Sequence, residues 1–274
     1  MPTLTRRSLL GGLCGTAFLG TGIWGCTSVG ERRELLPERN AKTYDQLVIH
    51  SNIDLPEQHR LLEDLRVLRI DLLQTLALPA SDEPIHVYLF ETEQAFEDFM
   101  RRKHPNFPTR RAFFVESDTK LSVFAFWGDR VAEDLRHETT HGYLHSVVRN
   151  TPLWIDEGIA EYFEVPRGAG GLNPPHAQQL LTLLITQGRR PDMARLETLT
   201  SIGDMRQEDY AESWAWVHWL LNTDPQRRIV LQQFLQSLRS QALYVPISAV
   251  VKTRWPQAER ELCDHLFAIG KPNV

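Results

Sequence analysis

Cysteine is scarce in this 274-residue chain: only Cys14, Cys26 and Cys263 occur. The first two fall in an apolar N-terminal stretch, so the body holds one thiol and no internal disulfide framework can form. Cys263 alternates with apolar neighbours in ERELCDHLFAI and reads as a small buried hydrophobe. A large basic block is also missing. With a net charge of −5, nucleic acid is not a favoured partner. Internal repeats and low-complexity tracts are absent beyond the N-terminus, which excludes solenoids and bulk disorder. What remains, 42% hydrophobic and 24% charged residues, is the composition of a globular domain.

The first 26 residues lack any acid. Arg6 and Arg7 precede an apolar, Gly-rich run from Leu9 to Gly25 that is short for a membrane span. This is the layout of a signal peptide, and TRRSLL resembles a twin-arginine export signal. GIWGC resembles a bacterial lipobox with Cys26 as the lipidated residue, although Trp24 is bulkier than usual at its position. An uncleaved N-terminal anchor is the alternative. Either way the body is expected outside the cytoplasm, at the cell envelope. Residues 27–43 are polar and aperiodic and read as a flexible tether, followed by one domain over 44–274.

Within that domain YDQLVIHSN (44–52) and PIHVYLF (84–90) read as strands. Leu61, Leu65, Leu68, Leu72 and Leu76 repeat at helical spacing over 55–78, with Pro79 closing the helix. Residues 92–103 form a helix capped by Thr92, and 111–129 two strands with a turn at Ser117–Lys120. LSVFAFW, the second of these, would accept an extended peptide if it lay at a sheet edge. The second half is mostly helical.

The chemistry concentrates in LRHETTHGYLH (135–145), where His137, Glu138 and His141 stand as H-E-x-x-H. On a helix two histidines four apart emerge from one face, so both imidazoles reach one metal ion. Glu138, turned by about 100°, sits beside the ion and can take a proton from water. A catalytic zinc needs a third protein ligand and an open position. TPLWIDEGIAEYFEVP (151–166) supplies it: Glu157 opens a second helix beside Gly158, which permits close approach. Glu161, one turn on, is placed to accept a hydrogen bond from a ligand histidine.

HETTH followed by LWIDEGIAEYF resembles the gluzincin metallopeptidases, which include thermolysin and the zinc aminopeptidases, and is most similar to peptidase-MA-like bacterial proteins. The specific resemblance covers 135–166. Only 15 residues separate His141 from Glu157, fewer than in thermolysin. The resemblance implies an α+β, zincin-like fold: a small mixed sheet, the H-E-x-x-H helix, then a mainly helical part. It also implies Zn(2+) on His137, His141 and Glu157, Glu138 as general base, Glu161 as the supporting acid, and a peptide or protein substrate. Gluzincins supply a later Tyr or His to the oxyanion. DYAESWAWVHWLL offers Tyr210, which otherwise packs the helix start, and His218, which reads as a core histidine. His145 extends the polar stripe, Arg136 reads as solvated, and the Gly-rich segment 167–173 reads as a loop at the rim of the site. No segment for holding a free amine precedes the motif, which favours an endopeptidase. Two other readings stay open: an inactive zincin-fold binding module at the envelope, and an amide hydrolase acting on cell-wall peptides.

Overall fold

Side chains alternate across a strand, and here the alternation sorts the core into two layers. The computed structural model describes residues 36–270. Five strands, β1 (Asn40–Tyr44), β2 (Leu47–Ser51), β3 (Ile85–Phe90), β4 (Ala112–Ser117) and β5 (Lys120–Phe126), form one sheet in the order β1-β2-β3-β5-β4. β2, β3 and β5 run parallel, while β1 and β4 are antiparallel to their neighbours. Ile85, Val87 and Leu89 of β3 and Leu121, Val123 and Ala125 of β5 enter the main core. Tyr88, Phe90 and Phe124, one residue out of phase, enter a smaller aromatic cluster with Phe96, Phe99 and Met100. Those last three come from α2 (Glu93–Lys103), which Thr92 caps by accepting from the Ala95 amide.

The main core is closed by helices. The leucine stripe of α1 (Arg60–Leu76) is buried as its spacing predicts, and the helix ends where Ala77 turns left-handed at φ 52°, two residues before Pro79. The motif helix α3 (Val131–His145) lies against β3, β4 and β5. There follow α4 (Leu153–Phe163), α5 (Pro174–Gln187), α6 (Met193–Leu196), α7 (Gln207–Asn222), α8 (Pro225–Arg239), α9 (Ile247–Arg254) and α10 (Ala258–Ile269). All of α7 from Asp209 to Leu221 is buried, so it forms a post with α4, α5 and α8 around it. Gly158 is where α4 crosses this post: a Cβ there would stand 2.5 Å from the Ser213 carbonyl oxygen. The close approach expected of that glycine is thus to the α7 backbone.

The mixed α+β class matches the expectation, and several boundaries do not. Residues 40–43 belong to β1, so the chain enters the sheet earlier than the expected end of the tether; residues 1–35, with the signal pattern and Cys26, lie outside the described residues. The single strand expected over 44–52 is half of a hairpin that turns at Asp45, whose φ is 54°. β5 is interior, and the edges of the sheet belong to β1 and β4. α4 begins at Leu153 after Pro152, so Glu157 sits in its second turn and does not open it. Cys263 is only half-buried. Among the described residues no helix is long and apolar enough to cross a membrane.

Candidate metal centre

Helical spacing on α3 and α4 builds this site. His137 and His141 share one face of α3, and Glu157 faces them from α4. His137 Nε2 and His141 Nε2 are 3.3 Å apart, and Glu157 Oε2 lies 3.5 Å from the first and 3.8 Å from the second. Four-coordinate zinc with ligands at about 2.0–2.1 Å has ligand–ligand edges of about 3.3–3.4 Å. The three atoms therefore nearly outline one face of such a tetrahedron. Glu157 Oε2 is buried without a hydrogen-bond partner, which is costly for a carboxylate unless a cation joins it. The residues fit a metal ion, and they are positioned to hold one.

Both outer nitrogens are fixed. A carboxylate only accepts, so His137 Nδ1 donates to Glu164 Oε2 at 2.9 Å and His141 Nδ1 donates to Asp156 Oδ1 at 2.9 Å. In the neutral tautomer each Nε2 then turns its lone pair toward the centre. The second oxygen of Asp156 accepts from His145 Nε2 at 3.1 Å, and His145 Nδ1 donates to Glu116 Oε2 of β4 at 2.6 Å. The second oxygen of Glu164 accepts from Asn173 Nδ2 at 3.0 Å. Burial opposes charge on His137, but the Glu157 and Glu164 carboxylates outweigh it and hold its imidazolium well above the usual range. His141 is raised likewise, burial being outweighed by Asp156. Between two such histidines Asp156 stays ionised despite its burial.

Glu161 differs from the expectation. It accepts from His176 Nε2 of α5 at 2.6 Å, and the acids that hold the motif histidines are Asp156 and Glu164. The face spacing was legible, since Glu157, Glu161 and Glu164 follow at i, i+4 and i+7. The tertiary partner His176, 15 residues beyond Glu161, carried no local signal. Arg136 is likewise engaged, donating to the Glu164 carbonyl at 2.6 Å and to Asp64 at 2.9 Å.

Beside these residues opens a cavity of about 950 Å³ lined by His137, Glu138, Glu161, His176, Arg110 and Tyr210 among others. Among the described residues no side-chain hydrogen bond holds Glu138, and burial chiefly raises its pKa, the affinity for a proton that a base needs. Tyr210, in the first turn of α7, faces the same cavity and accepts a hydrogen bond from Arg110 Nη2, a residue sequence reasoning passed over. Ala169, Leu172 and Asn173 bring the Gly-rich segment to the rim. His218 does not line it: it is buried between His265 and Asn222.

Fold and site together define a mixed α+β protein with a His–His–Glu constellation positioned for a metal ion. A family model described as a protein of unknown function, DUF1570, matches residues 131–246, from the first residue of α3 to the start of α9. The match includes His137, Glu138, His141, Glu157, Glu161 and Tyr210 and leaves out Arg110. No curated protein matches the chain.

Proposed function

We propose that the protein is a zinc-dependent peptidase of the gluzincin type on a zincin-like fold, as its resemblance to peptidase-MA-like proteins implies. The observation that carries this reading is the convergence of His137 Nε2, His141 Nε2 and the unpartnered Glu157 Oε2 at near-tetrahedral edges. Two imidazoles and one carboxylate favour zinc over harder cations. Bound there, zinc supplies Lewis acidity to water and to the scissile carbonyl. Glu138 takes a proton from the attacking water at its carboxylate and passes it to the leaving nitrogen. Tyr210 Oη donates to the developing oxyanion, with Arg110 holding the phenol in place. Asp156 and Glu164 keep the two imidazoles in the ligating tautomer.

The N-terminal pattern ending in Cys26 supports an exported, lipid-anchored protein acting on peptides at the envelope. Cys26→Ser should release it from the membrane fraction. The test of the site is zinc content beside activity. The unsubstituted protein should hold one zinc per chain, and His137→Ala and Glu157→Ala should hold none. Glu138→Gln should keep the metal and lose peptide hydrolysis. No zinc uptake, or full turnover in Glu138→Gln, refutes the reading; zinc without any hydrolysis returns the binding-module alternative.

A further inference from the structure

Four arginines line the cavity, and one of them stands apart. Arg111 pairs with Asp134 at 2.6 Å, Arg130 with Glu133, and Arg136 with Asp64 at 2.9 Å. Arg110 has no carboxylate partner among the described residues. Its one protein acceptor is the neutral Tyr210 hydroxyl, and its guanidinium carbon lies 5.3 Å from the Tyr210 ring centre. A guanidinium carries five N–H donors, so most of those on half-buried Arg110 meet no protein acceptor among the described residues, in the cavity that His137 also lines. Glu138 and Glu157 act on it only at a distance.

Carboxylates are not scarce around the cavity: Glu161, Glu164 and Asp156 each accept from a histidine, and a neutral imidazole leaves its acceptor charged. Among the described residues none of them pairs with Arg110, whose guanidinium keeps open donor positions in a partly desolvated place, where charge-assisted pairing is strongest.

We infer that Arg110 selects peptides that carry a carboxylate next to the bond held at the metal centre. This rests on the peptidase reading of the site. The planar fork of arginine suits a carboxylate in two-pronged contact, and the Tyr210 ring, 5.3 Å from the guanidinium carbon, keeps that fork at the cavity wall. The carboxylate is either a free C-terminus or an Asp or Glu side chain; both offer the same two oxygens.

The test uses full-length Glu138→Gln protein in detergent, loaded with zinc so that peptides bind without turnover. It is offered a random octapeptide library, half with free C-termini and half amidated, and retained peptides are sequenced. Carboxylate-bearing peptides should be enriched roughly tenfold to a hundredfold. Enrichment confined to free termini identifies the terminal carboxylate; enrichment of Asp and Glu among amidated peptides identifies the side chain. Adding Arg110→Gln should abolish the preference, and Arg110→Lys should keep part of it. Tyr210→Phe should keep it, which separates reading a substrate from holding a tyrosine. Recovery without preference, recovery of nothing, or a preference that survives Arg110→Gln overturns the inference. Hydrolysis of the same library by protein with intact Glu138 is read separately. Cleavage without carboxylate preference leaves the peptidase reading standing and sinks the inference; Arg110-dependent retention without cleavage does the reverse.

Discussion

Replacing Gly158 by alanine tests whether the crossing of α4 and α7 sets the metal site. The new Cβ would stand 2.5 Å from the Ser213 carbonyl oxygen and 2.8 Å from Val217 Cγ2. Ordinary contact begins near about 3.5 Å, so the two helices must part by about 1 Å, because a backbone oxygen inside a helix cannot rotate aside. Overpacking of this kind costs about 1–3 kcal/mol. Alanine returns up to about 1 kcal/mol through helix propensity, so a net loss of about 1–2 kcal/mol is expected. For a chain of this size that lowers Tm by about 2–8 °C. Glu157 precedes Gly158 directly, so the same displacement draws its Oε2 away from the two imidazoles. Zinc affinity should fall at least about tenfold, as when the supports of a ligand are lost. Gly142→Ala is the control. The three atoms nearest its Cβ would all belong to the Ile85 side chain, at 3.0 to 3.3 Å, a lighter overlap than at Gly158 with no backbone atom among them; repacking by a few tenths of an ångström set against helix propensity should leave stability within about 1 kcal/mol. Thermal unfolding and chelator competition on both variants measure the difference. Gly158→Ala as stable as Gly142→Ala, or destabilised with zinc affinity unchanged, would refute the reasoning.

Asp156→Asn removes the charged acceptor of His141 and should weaken zinc binding about 10–100-fold in chelator competition; equal affinity would show that the carboxylate does not support the ligand. Tyr210→Phe should lower kcat about 100-fold or more with zinc affinity intact, and an unchanged kcat would take Tyr210 out of the reaction. His218 makes stability fall in mild acid. Asn222 donates to the Gly170 carbonyl at 2.7 Å and accepts from Tyr162 at 2.9 Å, so its amide also presents Nδ2 to His218 Nε2 at 3.0 Å. A proton on that nitrogen has no acceptor; burial, then repulsion from His265, pushes the pKa down to about 4. The unfolded chain, with a histidine pKa near about 6.5, binds the proton first. The contribution is therefore whole above that pH and is lost as pH falls toward 4, by about 2 kcal/mol at pH 4.5. Urea unfolding at pH 7 and 4.5 should show that extra loss in the unsubstituted protein and not in His218→Gln; equal losses would refute it.

What could be read from the sequence was what is local. The leucine stripe of α1, the Thr92 cap and the hairpin turn between β4 and β5 each depend on neighbours within a few residues, and each stands where spacing put it. The convergence of His137, His141 and Glu157 was legible for the same reason: two short helical segments carry all three. Partners that arise only when distant segments meet were not. His176 takes Glu161 from a helix whose pattern announces only an amphipathic face. Arg110 precedes a strand and looks like any surface arginine until α7 brings Tyr210 to it. β1 was missed because its half-exposed residues look like those of a linker, and only pairing with β2 makes them a strand.

The candidate metal donors and their supports Asp156 and Glu164 lie between residues 137 and 164, whereas Arg110 and Tyr210 are 100 residues apart. Short-range contacts form early and with little loss of chain entropy, and long-range ones form late. The three candidate donors come from one local stretch, but Gly158 seats α4 on the backbone of α7, so the donors are set only once that long-range crossing has closed. Arg110 and Tyr210 wait on the same closure, since Tyr210 stands in the first turn of α7. Under the proposed reading, ion site and cleft are completed together by one helix, and a chain that stops short of α7 lacks both.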